Sequence, residues 1–453
     1  MDEICVETSP FAHWLVRRSG KELTDALCVP LDRGSAPLSS LWQAPIVRAD
    51  AGAVYADLGA AGLARLADAP ELGPRPSEGA RVLLEVVKEA QNGKGPAADG
   101  RVSLITRDLV LKRGLVGGRV SKTLSTGDAH AACQARVSGL AATLPPGWGL
   151  ILRSGADLNR PSLDDQRDWL VERAEALTGA PDAGRVRLTE PEEALISALM
   201  ALLALGPALL RVDARSAQGL AGRLARVGWM ADDTCLEVEA VPPSAIAEEA
   251  VAETLDGLVE PVVGLPGGGH LLVEPGRTLT ALDVNSGSVP GGEPAPDGRA
   301  LNRAAARCIP QLVRLRGLSG LIAIDFADVS KRAEKEALIA LLREGFAADP
   351  ARIGVGGFAI GGLMALTRSR SRAPLHEALA GRRAVAHRLA LRLTREAAAN
   401  PGRAWSVRAA PTLCAWLESD GAEGLRALRE RVRLALVADP QVPLEVPALI
   451  AQG

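Results

Sequence analysis

Two apolar runs in this chain end alike. "TLTALDVNSG", Thr278 to Gly287, alternates like a half-buried strand until Asp283, Asn285 and Ser286. "GLIAIDFADV", Gly320 to Val329, passes through Leu321–Ile324 into Asp325, with Asp328 close behind. Strand periodicity sets Asp283 and Asn285 on one face, with Leu282 and Val284 on the other. A helical pattern from Leu301 to Arg316, interrupted by Pro310, separates the two runs. An amphipathic helix from Lys331 to Ala348 then leads to a strand at "ARIGVGGFAI". Strand, helix, strand, helix, strand is the order of an α/β unit. If the two aspartate-ending strands are neighbours, their carboxylates stand about 5 Å apart. Two such carboxylates repel unless a cation lies between them, and oxygen ligands suit Mg²⁺ or Mn²⁺. Taken singly, Asp283 caps a turn and Asp325 opens a helix; only the pair at strand ends argues for a site.

Upstream, Leu41 to Gly59 and Gly79 to Leu104 give short β-runs around glycine turns, the pattern of a small barrel. Arg160 to Leu177 reads as an amphipathic helix, and Leu195 to Val212 as a buried helix leading into a strand. That stretch contains Pro207 and is short for a membrane span. The tail after Arg382 reads as a helix, a strand near Trp405 and a helix from Gly424 to Leu436, a small α+β module. "LPGGGH" is a hairpin signal, since no GK[ST] or helix start follows it.

A formal charge of -2 excludes binding of nucleic acid through net charge alone, while local basic grooves stay open. Cys5, Cys28, Cys133, Cys235, Cys308 and Cys414 are scattered, so neither a zinc knuckle nor a disulfide framework follows. His13, His130, His270, His376 and His387 form no ligand spacing. A two-carboxylate glycosidase would need a carbohydrate-stacking cleft, and 3% aromatics argue against it.

The segments "LTALDVNSG" and "LNRAAARCIPQLVRLRGLSGLIAIDFADV" resemble the catalytic core of the ribonuclease E/G family, a D-[IV]-N-S strand, an asparagine-led helix ending in R-L-R, and a G-G-L-I-[VI]-I-D-F strand. "GARVLLEVVKEAQNGKGPAADGRVSL", "LVL" at Leu109 to Leu111 and "GLILRSG" at Gly149 to Gly155 extend the resemblance upstream. It implies RNase H-like and DNase I-like α/β subdomains, an inserted OB-fold barrel and a small C-terminal α+β domain. The implied boundaries are 1–34 and 193–257 for the RNase H-like part, 35–104 for the OB-fold and 105–192 for a 5′-end sensor. Residues 258–376 would be the catalytic domain and 384–453 the C-terminal one.

By position, the resemblance makes Asp283 and Asp325 the metal ligands and Asn285 the partner of the scissile phosphate. Asn302, Arg316 and Arg352 become phosphate contacts, and Tyr55 and Lys94 RNA contacts of the barrel. Arg153 and Ser154, with Thr106 and Val110, become the pocket for a 5′-monophosphate. The implied function is Mg²⁺-dependent cleavage of single-stranded RNA to 5′-monophosphate and 3′-hydroxyl ends, in RNA processing or mRNA decay. The alternative is a catalytically weakened RNA-binding protein of the same fold.

Several positions depart from the family pattern. "AGRRAVAHRLAL" stands where the zinc-linking C-P-x-C segment belongs, so no zinc and no zinc-linked tetramer are expected. Ala304, Ala365 and Leu63 replace two acidic residues and one aromatic of the pattern. The first residues, "MDEICVETSP", lack a signal-peptide core, and no scaffold tail follows the core. The expectation is a cytoplasmic protein that engages RNA and no membrane.

Overall fold

The computed structural model describes residues 2–50, 53–67, 77–121, 128–158, 160, 162–179, 186–229, 236–241, 257–287, 297–359 and 362–452. The chain is mixed α/β, built on several sheets and one closed β-barrel. The first sheet runs in the order Leu236–Val241, Ala208–Asp213, Asp2–Thr8, Ala12–Ser19, Glu22–Pro30. The apolar run after Glu190 forms the helix Pro191–Leu203 and then the strand Ala208–Asp213. A reciprocal capping box between Glu190 and Glu193, with proline in the first turn, fixes where that helix starts. Its Leu195, Leu199 and Leu203 pack on Ile4, Val6 and Leu15 of the sheet.

Between Pro30 and Ala208 the chain builds two further units. Five strands, Leu41–Asp50, Ala53–Asp57, Leu63–Leu66, Ala97–Asp99 and Arg81–Lys88, close on themselves as an OB-like barrel. Its interior mixes Ala44, Ala56, Ala64 and Ala98 with Ile46, Leu84 and Val86, small beside large, as a tight barrel requires. A four-stranded sheet follows, in the order Gly117–Val120, Trp148–Leu152, Leu109–Arg113, Ser103–Ile105. The helix Asp128–Leu140 lies close on it at Gly118, where a Cβ would come within 2.5 Å of the Val137 carbonyl.

The six-stranded sheet that carries Asp283 has the order Val262–Gly264, His270–Pro275, Leu279–Asn285, Gly320–Asp325, Met364–Arg368, Ile353–Phe358. Leu282, Val284, Ile322, Ile324, Met364 and Leu366 face the helices Gly298–Leu315 and Arg332–Gly345. Contrary to expectation, Pro310 does not interrupt the first of these helices. The missing N–H costs one ladder bond, but the ring is buried against Gly345, where a Cβ would meet it at 2.5 Å.

The C-terminal unit corrects a second expectation. The helix expected over Gly424 to Leu436 ends at Arg431, and Leu434–Ala438 is a strand parallel to Ala404–Ala409. Leu434 and Leu436 alternate onto the core, a period of two that the helix reading overlooked. A helix Pro411–Glu418 also went unforeseen. From its second residue on, "AGRRAVAHRLAL" lies within a helix, Gly381–Ala399, whose Val385, Leu389 and Leu393 are buried. Cys5, Cys28, Cys133, Cys308 and Cys414 are free thiols; Cys235 lies outside the described residues. Among the described residues, no helix is long and apolar enough to cross a membrane.

Candidate functional site

Asp283 and Asp325 are register partners on adjacent parallel strands. Parallel neighbours stand about 4.8 Å apart, so the two carboxylates leave the sheet side by side on the face away from the helices. Asp325 is exposed and Asp283 half-buried. Both strands carry apolar residues inward and stop being apolar outward at this one register, which is why the site sits at the strand ends.

Asn285 is next on the same face and donates its amide N–H to Asp283 Oδ2 at 2.9 Å. His270 is the register partner of Asn285 on the neighbouring strand. Its Nδ1 is 3.0 Å from the Gly287 carbonyl oxygen, which can only accept, so Nδ1 carries a proton in this contact. No motif marks this histidine's place, because it stands alone in a glycine-rich hairpin.

Asn302 is 0% exposed. Its amide donates to the Ala327 carbonyl at 2.6 Å and accepts the Ala327 N–H at 3.0 Å. Both polar atoms of its amide are thus taken by Ala327; it clamps the turn after Asp325, where Asp328 holds a φ of 46°.

Two arginines do not converge on this site. Arg316 is 5% exposed, and its Nη2 donates to the Glu260 carbonyl at 2.8 Å. It lies just before Gly320, at the start of the Asp325 strand. Arg352 is exposed and precedes the strand Ile353–Phe358, whose start pairs through Arg368 with Gly320. From Gly320 to Asp325 the strand covers roughly 16 Å, at about 3.3 Å per residue. Both expected phosphate contacts thus stand at the far end of the sheet. Motif order carried them, but the up-down direction of the strands sends them away.

Directly below the carboxylates lies a row of Ala281, Ala323 and Ala365, consecutive register partners across three strands. Ala365 is therefore diagonal to Asp325. Among the described residues, no group of three or more His, Cys, Asp or Glu side chains is arranged to hold a metal. The donor set is instead two carboxylates on an open face, which fits a hard cation completed by water and phosphate.

The outer face of the barrel gathers Arg48, Tyr55 and Arg65 into one row across three strands. The Arg48 guanidinium lies 5.7 Å from the Tyr55 ring centre. Leu63, 49% exposed, lies two residues along the strand from Arg65, paired with Asp57. Lys94 is exposed at the end of a tight turn, with Asn92 and Gly93 at φ of 54° and 72°, as an Asn-Gly hairpin turn demands. Asn92 N–H donates to Glu377 at 3.0 Å, which fixes that turn against the segment after the six-stranded Asp283 sheet.

Arg153 and Thr106 are brought together. Arg153 Nη1 donates to the Thr106 and Arg107 carbonyls at 2.8 and 3.0 Å, and burial draws its pKa below the usual arginine range. The guanidinium borders a cleft of about 550 Å³ that also touches Trp169 and Arg173. Ser154 is exposed beside it. Val110 sits within the sheet, between its register partners Ile105 and Ile151.

A sequence profile of the Ribonuclease E/G family matches residues 103–371, more than half of the chain. Ribonuclease E of Synechocystis sp. is 27% identical over 311 residues, 66% of this chain and 45% of that protein. The chloroplastic Ribonuclease E/G-like protein of Arabidopsis thaliana is 28% identical over 318 residues, 65% of this chain and 31% of its own. Ribonuclease E of Escherichia coli is 26% identical over 299 residues, 65% of this chain and 28% of that protein. The chain thus spans less than half the length of each of these relatives.

Proposed function

The chain belongs to the ribonuclease E/G family, and on that premise we propose that it is an endoribonuclease acting on single-stranded RNA at the Asp283–Asp325 pair. We assign the first sheet to an RNase H-like subdomain and the Asp283 sheet to a DNase I-like one. The observation that carries the reading is the shared register of two carboxylates on an open sheet face.

Asp283 and Asp325 would hold Mg²⁺, with Mn²⁺ as a substitute. Such an ion, when bound, lowers the pKa of water and offsets charge developing at phosphorus. Asn285, oriented by Asp283, would hydrogen-bond the scissile phosphate. Asn302 holds the Asp325 turn still from behind. Displacement by water leaves 5′-monophosphate and 3′-hydroxyl ends. Arg48, Tyr55, Arg65 and Lys94 would guide the strand over the barrel, by charge and by stacking on Tyr55. Arg153 and Ser154 would recognise a 5′-monophosphate, with the Thr106 carbonyl steadying the arginine.

The test is a gel with 5′-labelled single-stranded RNA, in Mg²⁺ and in EDTA. Cleavage in Mg²⁺ that EDTA abolishes is expected; cleavage unaffected by EDTA ends the metal reading. Ala365, diagonal to Asp325 where the family pattern has an acidic residue, favours a second reading, an RNA binder with weakened turnover. Retarded but uncut RNA in Mg²⁺ would select it.

A further inference from the structure

The far end of the Asp283 sheet borders a cavity of about 300 Å³, walled also by the strand Glu22–Pro30 and the end of the helix Pro191–Leu203. Arg314, Arg316, Arg368 and Arg372 line it, with Ser319, Ser369 and Ser371. Carboxylates hold two of these cations at hydrogen-bond distance. Arg314 forms a two-point pair with Asp25, both contacts at 2.7 Å. Arg368 is held by Asp349 at 2.9 and 3.2 Å. Arg372 reaches Glu89 only at 3.9 Å, and the Glu89 oxygens already accept the N–H groups of Leu38 and Ala373.

Arg316 is left over. It is 95% buried by its 5% exposure, its buried Nε has no hydrogen-bond partner, and among the described residues no carboxylate pairs with it. Burial draws its pKa down to about 10, and its charge helps depress that of His376. A guanidinium out of water is costly unless an anion meets it. Here a buried guanidinium, offset only through space by the Glu260 charge, stands beside a cavity lined by hydroxyls.

We propose that this cavity binds a small phosphorylated compound, its phosphoryl oxygens met by Arg316, Arg372 and the hydroxyls of Ser369 and Ser371. Guanidinium forks suit phosphate because two N–H groups reach two oxygens at once. The volume is at the small end for ligand sites, enough for a phosphate on a sugar-sized body and too little for a run of polymer. A ligand there would join the first sheet to the catalytic sheet, away from the carboxylates.

The test uses the full chain in chloride buffer at constant ionic strength, with inorganic phosphate and then ribose 5-phosphate as probes, read by melting temperature and ³¹P line width. A saturable rise is expected with both, larger for the sugar phosphate. Arg316→Gln should abolish it while melting no lower than the native chain in chloride. Asp283→Asn should leave it intact, which separates this site from the RNA site. Ser371→Ala, expected to weaken the titration several-fold, carries the test if Arg316→Gln does not fold. An equal response in Arg316→Gln, or no saturation in the native chain, overturns the proposal. So does competition by a 5′-phosphorylated oligonucleotide, because the cavity is too small to admit one.

Discussion

The Asn302 amide closes two hydrogen bonds on a single residue, Ala327, and so ties the helix Gly298–Leu315 to the turn that leaves Asp325. The carboxylate is exposed; what holds its backbone is buried.

Asn302→Ala should therefore lower cleavage by on the order of 10²-fold, the usual result of an ångström-scale misplacement. RNA affinity should barely change, since Asn302 meets no solvent. Stability should fall by about 1–3 kcal/mol, because two buried backbone groups lose their partners. Single-turnover rates and filter binding check this; a drop in affinity with an unchanged rate would contradict it.

Asp283→Asn and Asp325→Asn keep the shape and remove a negative ligand. Cleavage should fall by on the order of 10³-fold or more, at tenfold per 1.36 kcal/mol. The melting temperature should hold or rise as repulsion in the metal-free pair is relieved. RNA binding should persist through the barrel. If both aspartates are only caps, the mutants will be less stable and still cut RNA, so rate and melting temperature must be measured together.

RNA with a 5′-monophosphate should be cut faster than RNA with a 5′-hydroxyl, and Arg153→Ala should remove that difference while sparing basal cleavage. The basis is a guanidinium that spends Nη1 on two carbonyls and still borders an open cleft. Equal rates on both substrates for the native chain would show that the pocket senses nothing.

Acid stability should have a plateau. Burial pushes the Glu7 and Glu85 carboxyls up to about 7, and pushes His13 and His387 down to about 4 and about 3. The raised carboxyls favour the fold below about 4.5 and lose that contribution as pH rises through 7. The depressed histidines favour it above about 6.5 and lose that contribution as pH falls through 4 and 3. Between about 4.5 and 6.5 the two proton counts nearly cancel, and below that range the histidines act alone. Glu85→Gln keeps an acceptor for the Ser103 N–H and should stabilise by on the order of 2 kcal/mol at pH 8, with no gain at pH 4. Melting curves at both pH values decide it; an equal shift at each would refute the assignment.

Much of the site was legible in advance, and the reason is local. Asp283 and Asp325 each end an apolar run, and a period of two decides their face without tertiary information. Asn302, Arg316 and Arg352 were not legible, because their roles depend on which helix face is buried and which way a strand runs. A one-dimensional motif records neighbours along the chain, while the sheet reverses direction between Gly320–Asp325 and Met364–Arg368. His270 was missed for the same reason, since only pairing with Asn285 brings it to the carboxylates. The strand Leu434–Ala438 was misread because it follows a helix without a glycine or proline to mark the change.

The first sheet pairs Ile4 with Leu210, partners 206 positions apart (210 minus 4). During synthesis the barrel and the four-stranded sheet after it emerge complete before the strand Asp2–Thr8 can find that partner. At about 5–20 residues per second, the wait is roughly 10–40 s. Throughout it, the apolar strand edge of Ile4 to Val6 is bare. Slow translation or a stall between Pro30 and Ala208 should then send nascent chains to chaperones or aggregates, although no residue of the carboxylate site has yet been made.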